Sequence, residues 1–338
     1  MKNFLIVKLS AIGDVIHALP TAYALKETYP DCHITWVVEP PAYDLVEMCP
    51  YIDEVILFEK KKFKSLRGFL REYGPMKRKI QKRNYDAVLD LQGLFKSAAI
   101  ARLGKAPVKL GMCNMRELSD RISRPVIGPH AEGHIVERYL DVARALGCRV
   151  DEVRLTLDVP ERDADLARRI FSQAGANMDN PYAVFAIGAN WPNKRWPAKH
   201  FARLSDKLYD KDIIPILVGG GPVDEQRAAE ISSYTEIPPV NLVGKTNFRQ
   251  LTYALQQAKF CLGGDTGPVH LASGLGTPTI MVMGPTDANR NGPYGQLENA
   301  IEADRPCRYC WQRACPKNLD CLEAITPRQV LEKIETLL

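Results

Sequence analysis

The sequence predicts an α/β protein built as two doubly wound, parallel-sheet domains. Short, unbroken apolar runs of strand length alternate with amphipathic helical stretches, the pattern of parallel strands covered on both faces. That alternation runs once, pauses near residues 147–160, and then runs a second time. The chain has 338 residues, too many for one ordinary core and suited to two domains of roughly 150–170 residues each. Paired domains of this kind are expected to face a central cleft, with ligands at the C-terminal ends of the strands.

In the first domain, residues 1–155, strands are expected at 4–8, 34–38, 55–58, 87–91 and 108–111. Helices are expected at 14–28 and 134–146. The second domain, residues 156–325, opens with a polar helix over 161–175 and a turn-rich segment at 177–181. Strands follow at 182–187, 213–218, 240–243, 260–263 and 279–283, with helices at 197–210, 224–233, 247–257 and 267–274. Residues 326–338 read as a last helix, with Thr326 as N-cap and Pro327 in the first position, free to pack back on the first domain.

Composition narrows the class. Hydrophobic residues make up 46% and charged residues 25%, which excludes a disordered or fibrous chain. There is no membrane-spanning apolar stretch and no basic-then-apolar leader, so a soluble, cytoplasmic protein is expected. The net charge is +5, but residues 60–83 hold eleven Lys or Arg and one acid, Glu72. Without that run the chain would be net negative. The run is either a solvated helix face or a patch for an anionic partner such as membrane headgroups or a phosphorylated lipid. Nucleic acid is the least fitting partner, because the run is not read as a stacking platform.

Four stretches can carry chemistry. In VKLSAIGDVIHALP (7–20) a strand ends at a small-residue turn and a helix opens near Gly13 and Asp14. Asp14 is a helix cap or, at a cleft mouth, a general base. In GGDTGPVHLASGLGTPTIMVMGPTD (263–287) two Gly-bearing loops leave neighbouring strands. Asp265, Thr266 and Gly267 precede a helix carrying His270, and amides at that helix start favour a diphosphate. The stretch matches neither GxxxxGK[ST] nor GxGxxG. In FAIGANWPNKRWP (185–197) Lys194 and Arg195 lie between Trp191 and Trp196, where a cation can neutralise a phosphate leaving group. The alternative is a surface pair anchored by tryptophans. In VGGGPVDEQRA (218–228) Asp224 and Glu225 open a helix after a Gly-rich turn, as caps or as acceptors for ribose hydroxyls.

Together these motifs resemble glycosyltransferase family nine, the ADP-heptose:lipopolysaccharide heptosyltransferases. The likeness runs nearly end to end, and also rests on WVVE (36–39), NYDAVLDLQGLFKSA (84–98), HIVERY (134–139) and KRWP (194–197). VKLSAIGDVIHALP and YDAVLDLQGLFKSA look closer to the heptosyltransferase I branch than to the heptosyltransferase II branch. The resemblance implies the GT-B architecture of two Rossmann-like domains, the first for the acceptor and the second for the nucleotide-sugar. It implies inverting transfer of heptose from ADP-L-glycero-D-manno-heptose to the Kdo/inner-core region of a lipid A precursor. That work is peripheral, at the cytoplasmic face of the inner membrane, and needs no catalytic cofactor. Asp14 would be the base and Lys194 the stabiliser of the leaving diphosphate. Thr266, Gly267, Asp265, His270 and Gly13 would serve the donor, with Asp224 or Glu225 on its ribose. Lys61, Lys62, Lys64 and Arg116 would meet acceptor phosphates. Two other readings stay open: a family-nine transferase with another nucleotide-sugar or of the heptosyltransferase II branch, and a non-catalytic sugar-nucleotide-binding protein.

Nine cysteines do not form a secreted framework, since five are scattered. Cys307, Cys310, Cys315 and Cys321 cluster as Cys-x2-Cys-x4-Cys-x5-Cys. They are candidates for a structural zinc or iron–sulfur group, for disulfides on oxidation, or for free thiols.

Overall fold

The computed structural model describes residues 1–317 and 320–338. The chain divides into two compact units, Met1–Asp158 and Val159–Leu338, just beyond the expected residue 155.

The first unit holds six parallel strands: β1 (Asn3–Val7), β2 (His33–Val38), β3 (Glu54–Leu57), β4 (Ala87–Asp90), β5 (Val108–Gly111) and β6 (Arg124–Pro125). Their order is β3-β2-β1-β4-β5-β6, and Val7 pairs with both Val37 and Asp90. The helices are α1 (Ile12–Ala18), α2 (Pro20–Thr28), α3 (Tyr43–Glu47), α4 (Leu66–Ile80), α5 (Phe95–Leu103) and α6 (Ile135–Arg144). The single helix expected over 14–28 is two helices. Pro20 has no N–H to continue the first and instead takes the opening position of the second. β1 is buried apart from Asn3, which is why it reads as an unbroken apolar run.

The second unit holds β7 (Tyr182–Ala186), β8 (Ile214–Val218), β9 (Val240–Asn241), β10 (Phe260–Gly264), β11 (Thr279–Met283) and β12 (Ala300–Glu302). Its order is β12-β11-β10-β7-β8-β9, again all parallel. The helices are α7 (Glu161–Gln173), α8 (Ala198–Tyr209), α9 (Pro222–Ser233), α10 (Phe248–Gln257), α11 (Gly267–Gly274), α12 (Ala288–Asn291) and α13 (Pro327–Glu335). Thr326 does cap α13, accepting from the Gln329 N–H. The expected return of this helix to the first domain is corrected. Val330 and Ile334 are buried with Phe185, Trp196 and Phe201 in the core of the second unit.

Numbered within each unit, both sheets run 3-2-1-4-5-6. That order reverses direction between strands 1 and 4, and side chains from the C-terminal ends of those two strands gather around the gap. The gap is β1/β4 in the first unit and β7/β10 in the second.

Candidate active site

In the first unit the β1 turn carries Asp14 to the switch point. The half-buried Asp14 accepts from the Ala11 N–H through Oδ2 at 3.2 Å, so the capping role is real. Ala11 has no acceptor to answer it, and the second Asp14 oxygen makes no hydrogen bond among the described residues. The turn is held from β4, where Gln92 Oε1 accepts from the Leu9 and Ser10 N–H groups at 3.1 and 3.0 Å. From β2, Glu39 donates its N–H to the Leu9 carbonyl, and Trp36 Nε1 donates to the Lys8 carbonyl. Lys96 Nζ then bridges Glu39, at 2.6 Å, and Ser10.

Lys8, which ends the β1 run, was not among the expected site residues. It is 2% exposed and donates to the Tyr139 hydroxyl at 2.8 Å. Burial pushes its ammonium down from the usual lysine range, and the neighbouring carboxylates of Asp14 and Asp90 act the other way. Asp90 is itself raised by burial, against hydrogen bonds from Gly93, Ser97 and Gln92. A lysine closing a buried apolar strand was the signal available in the sequence.

Lys61, Lys62 and Lys64 follow β3 in and beside a short 3₁₀ turn, all exposed, and Lys62 pairs with Glu59. Arg116 follows β5, where its N–H donates to the Gly93 carbonyl. All four follow strands at the C-terminal sheet edge, as Asp14 does. They do not form one patch, because β3 and β5 lie four strand steps apart, roughly 20 Å. A hollow of about 410 Å³ lined by Lys109, Arg121 and Arg124 begins at the other end of β5 and is no part of this edge.

In the second unit the switch point is filled by a closed ionic network. Lys194 Nζ meets Asp265 Oδ2 at 2.6 Å, and the Thr286 hydroxyl donates to the same oxygen at 2.8 Å. His270 Nε2 meets Asp265 Oδ1 at 2.8 Å. Burial alone would raise the Asp265 carboxyl, but His270 and Lys194 outweigh it and hold it well below the usual carboxylate range. Asp265 is 8% exposed and His270 4%, and both are closed into this network. They position Lys194, whose ammonium also sits 4.4 Å from the Trp191 ring centre. Gly264 is required for this approach, since a Cβ there would fall 1.9 Å from the Lys194 carbonyl oxygen.

Thr266 caps α11 without using its hydroxyl. The helix start offers fewer amides than expected. Pro268 has none, and those of Val269 and His270 go to the Thr266 carbonyl. The Thr266 hydroxyl and Gly267 N–H remain as donors. Arg227, also missed from the sequence, ties the 187–196 loop at both ends through the Ile187 and Trp196 carbonyls, at 3.1 and 2.6 Å. Burial holds its guanidinium below the usual arginine range.

The two acids after β8 separate clearly. Asp224 accepts from the Gly220 N–H at 2.9 Å and fills the space over Gly188, where a Cβ would meet it at 2.1 Å. Glu225 is exposed, its carboxylate toward the Gly244 turn. Glu225 is thus the exposed carboxylate of the two, while Asp224 is engaged by the Gly220 amide.

Cys307, Cys310, Cys315 and Cys321 are free thiols. Burial raises the Cys321 thiol most, with the other three adding to it. Among the described residues no three His, Cys, Asp or Glu side chains are grouped as a metal site, so the zinc or iron–sulfur expectation finds no support. The segment braces the loops after β7 and β11. Tyr309 and Trp311 donate N–H groups to the Gly284 and Pro285 carbonyls, and Asn193 reaches the Gln312 carbonyl at 2.7 Å.

The sequence model of the family described as Glycosyltransferase family 9 (heptosyltransferase) matches residues 74–319. Lipopolysaccharide heptosyltransferase 1 of Pseudomonas aeruginosa is 30% identical over 360 residues, covering 99% of this chain and 97% of that protein. Lipopolysaccharide heptosyltransferase 1 of Escherichia coli K12 is 30% identical over 311 residues, covering 89% and 93%. A family 9 glycosyl transferase structure from Veillonella parvula superposes with a TM-score of 0.85 at 25% identity, over 99% of this chain and 97% of that one. The E. coli heptosyltransferase WaaC, solved with ADP, gives 0.76 at 29% identity, over 99% and 100%.

Proposed function

The chain belongs to glycosyltransferase family 9 and is a glycosyltransferase of lipopolysaccharide assembly, and we propose that it moves heptose from ADP-L-glycero-D-manno-heptose to the Kdo-bearing inner core of a lipid A precursor. The observation that supports this reading most is the Lys194–Asp265 pair at the second switch point, beside the unused Thr266 and Gly267 donors. A lysine ammonium has three N–H groups, and Asp265 takes one. The remaining two, with the Thr266 hydroxyl and the Gly267 amide, suit the oxygens of a diphosphate. Glu225 suits the ribose of the same nucleotide.

In this reading the acceptor hydroxyl gives its proton to the open oxygen of Asp14 as its own oxygen bonds to the anomeric carbon of the heptose. The bond from that carbon to the diphosphate oxygen breaks, and ADP leaves with the electron pair. Attack opposite the leaving group inverts the anomeric centre. Charge grows on the diphosphate as the bond breaks, and Lys194 is already held where it appears. Gly13 lets the donor approach the α1 backbone. Lys61, Lys62, Lys64 and Arg116, arrayed along one sheet edge, suit an acceptor with phosphates at two separated points rather than one. No cofactor enters the transfer. The protein works peripherally, at the cytoplasmic face of the inner membrane.

The test is Asp14→Asn, assayed with ADP-heptose and UDP-sugars against Kdo-terminated and heptose-terminated lipid A precursors. Transfer from ADP-heptose to one of those acceptors by the parent chain, lost in the variant while ADP binding persists, is expected. Unchanged turnover in the variant sinks the role of Asp14. Consumption of a UDP-sugar in place of ADP-heptose sinks the donor assignment.

A further inference from the structure

Helix α4 (Leu66–Ile80) carries one apolar stripe that is covered at one end and bare at the other. Leu66, Phe69, Leu70 and Tyr73 stand at positions i, i+3, i+4 and i+7, the spacing of a face that a surface helix normally buries. Met76 and Ile80 continue the same face and are buried in the first unit's core. The first four are not: Leu66 is 76% exposed, Leu70 70%, Phe69 43% and Tyr73 40%. Gly74 and Pro75 fall between the two halves, and Pro75 leaves the Arg71 carbonyl without its helical donor.

Rings step outward along the bare half. Phe58, 7% exposed in the core, lies 5.0 Å from Phe63, then Phe63 lies 6.3 Å from Phe69, and Phe69 stacks on Tyr73 at 5.3 Å. Around this ridge the eleven Lys and Arg of residues 60–83 are all exposed, against the single acid Glu72, which pairs with Arg71. Because α4 follows β3, its bare half projects at the C-terminal sheet edge, the edge that carries Asp14. Phe95 and Leu118, which follow β4 and β5 on that edge, are 69% and 63% exposed.

We propose that the first two turns of α4 dock the protein on an anionic phospholipid surface. Leu66, Phe69, Leu70 and Tyr73 enter the boundary between headgroups and acyl chains, and the surrounding Lys and Arg meet lipid phosphates. An amphipathic helix with a dense basic flank and a bare apolar face binds an anionic bilayer by both terms at once. The charge selects that occupant over a second copy of this chain, whose own basic run would be repelled. The aliphatic Leu66 and Leu70 select it over single-stranded nucleic acid, which needs aromatic stacking rather than leucine. The function proposed above gives the surface its purpose, because a lipid-borne acceptor would then meet the edge that carries Asp14.

The full chain is tested by flotation with vesicles of phosphatidylglycerol and phosphatidylethanolamine, and with vesicles of phosphatidylcholine alone. Flotation with the anionic vesicles only, weakened by added salt, is expected. Leu66→Gln with Leu70→Gln is expected to lower it by about tenfold or more. Both side chains point to solvent, and unchanged ADP binding and circular dichroism show that the variant is folded. Flotation of the double variant like the parent overturns the proposal. So does binding to both vesicle types alike. A concentration-dependent dimer dispersed by the double substitution, or binding of poly(U), with no vesicle flotation in either case, also overturns it. No sugar donor or acceptor enters the assay, so its failure is separate from a failure of heptose transfer.

Discussion

The two sheets share one strand order, yet their switch points are built oppositely. At the end of β1, Asp14 is half-buried and held by one backbone hydrogen bond, with an oxygen left open. At the ends of β7 and β10, Asp265 is buried, and its oxygens are taken by Lys194, Thr286 and His270. The contrast teaches what each carboxylate can do. An open carboxylate can take a proton. A closed one, held far below its ordinary range, cannot, but it fixes a cation in one place before any ligand arrives.

The sharpest way to break the comparison is at the open carboxylate. Asp14→Asn is expected to lower turnover by roughly 10²–10⁴-fold while ADP affinity stays near that of the parent, measured by a transfer assay and by calorimetry. A next smaller effect is expected at the fixed cation. Lys194→Met should lower kcat by roughly 10²–10³-fold if its charge acts on the leaving diphosphate. A change confined to KM would instead show simple binding.

Asp265→Asn keeps the shape and removes the charge, and is expected to cost about 2 kcal/mol of stability by denaturant titration at neutral pH. It also tests the sign of the pH dependence. Because the folded carboxyl lies below its unfolded value, its contribution is fully present above the ordinary carboxylate pKa and is lost as pH falls further. The parent should therefore lose stability below about pH 4 along a slope that Asp265→Asn flattens. An unaltered acid limb would mean that the charge is not held by this network. The smallest effect is expected for Thr286→Val, about 1 kcal/mol, because Asp265 keeps its two stronger partners.

The elements that were legible in the sequence are those buried on both faces. Strand 279–283, buried along its whole length, falls where expected. The edge strands β6 and β12 were missed. They are short and only partly buried or exposed, so no apolar run marks them. The split at Pro20 was visible as a proline but masked by apolar periodicity continuing across it.

The site divides along the same line. Asp14, Lys194, Thr266 and Gly267 sit at strand ends, where strand–turn–helix punctuation can be read one segment at a time. Thr286 and Arg227 act on residues 21 or more positions away, and no local pattern announces such bonds. Lys194 and Asp265 meet across 71 positions, for the same reason without a local sign.

The chain's own pattern determined that there would be two doubly wound sheets and which loops would crown them, because strand burial and turn chemistry are short-range properties. Only tertiary structure decided which charges in those loops stay open and which are locked together. It also decided that half of one helix's apolar stripe would be left bare. Burial and long-range pairing depend on what folds over a residue, and nothing in its immediate neighbours records that.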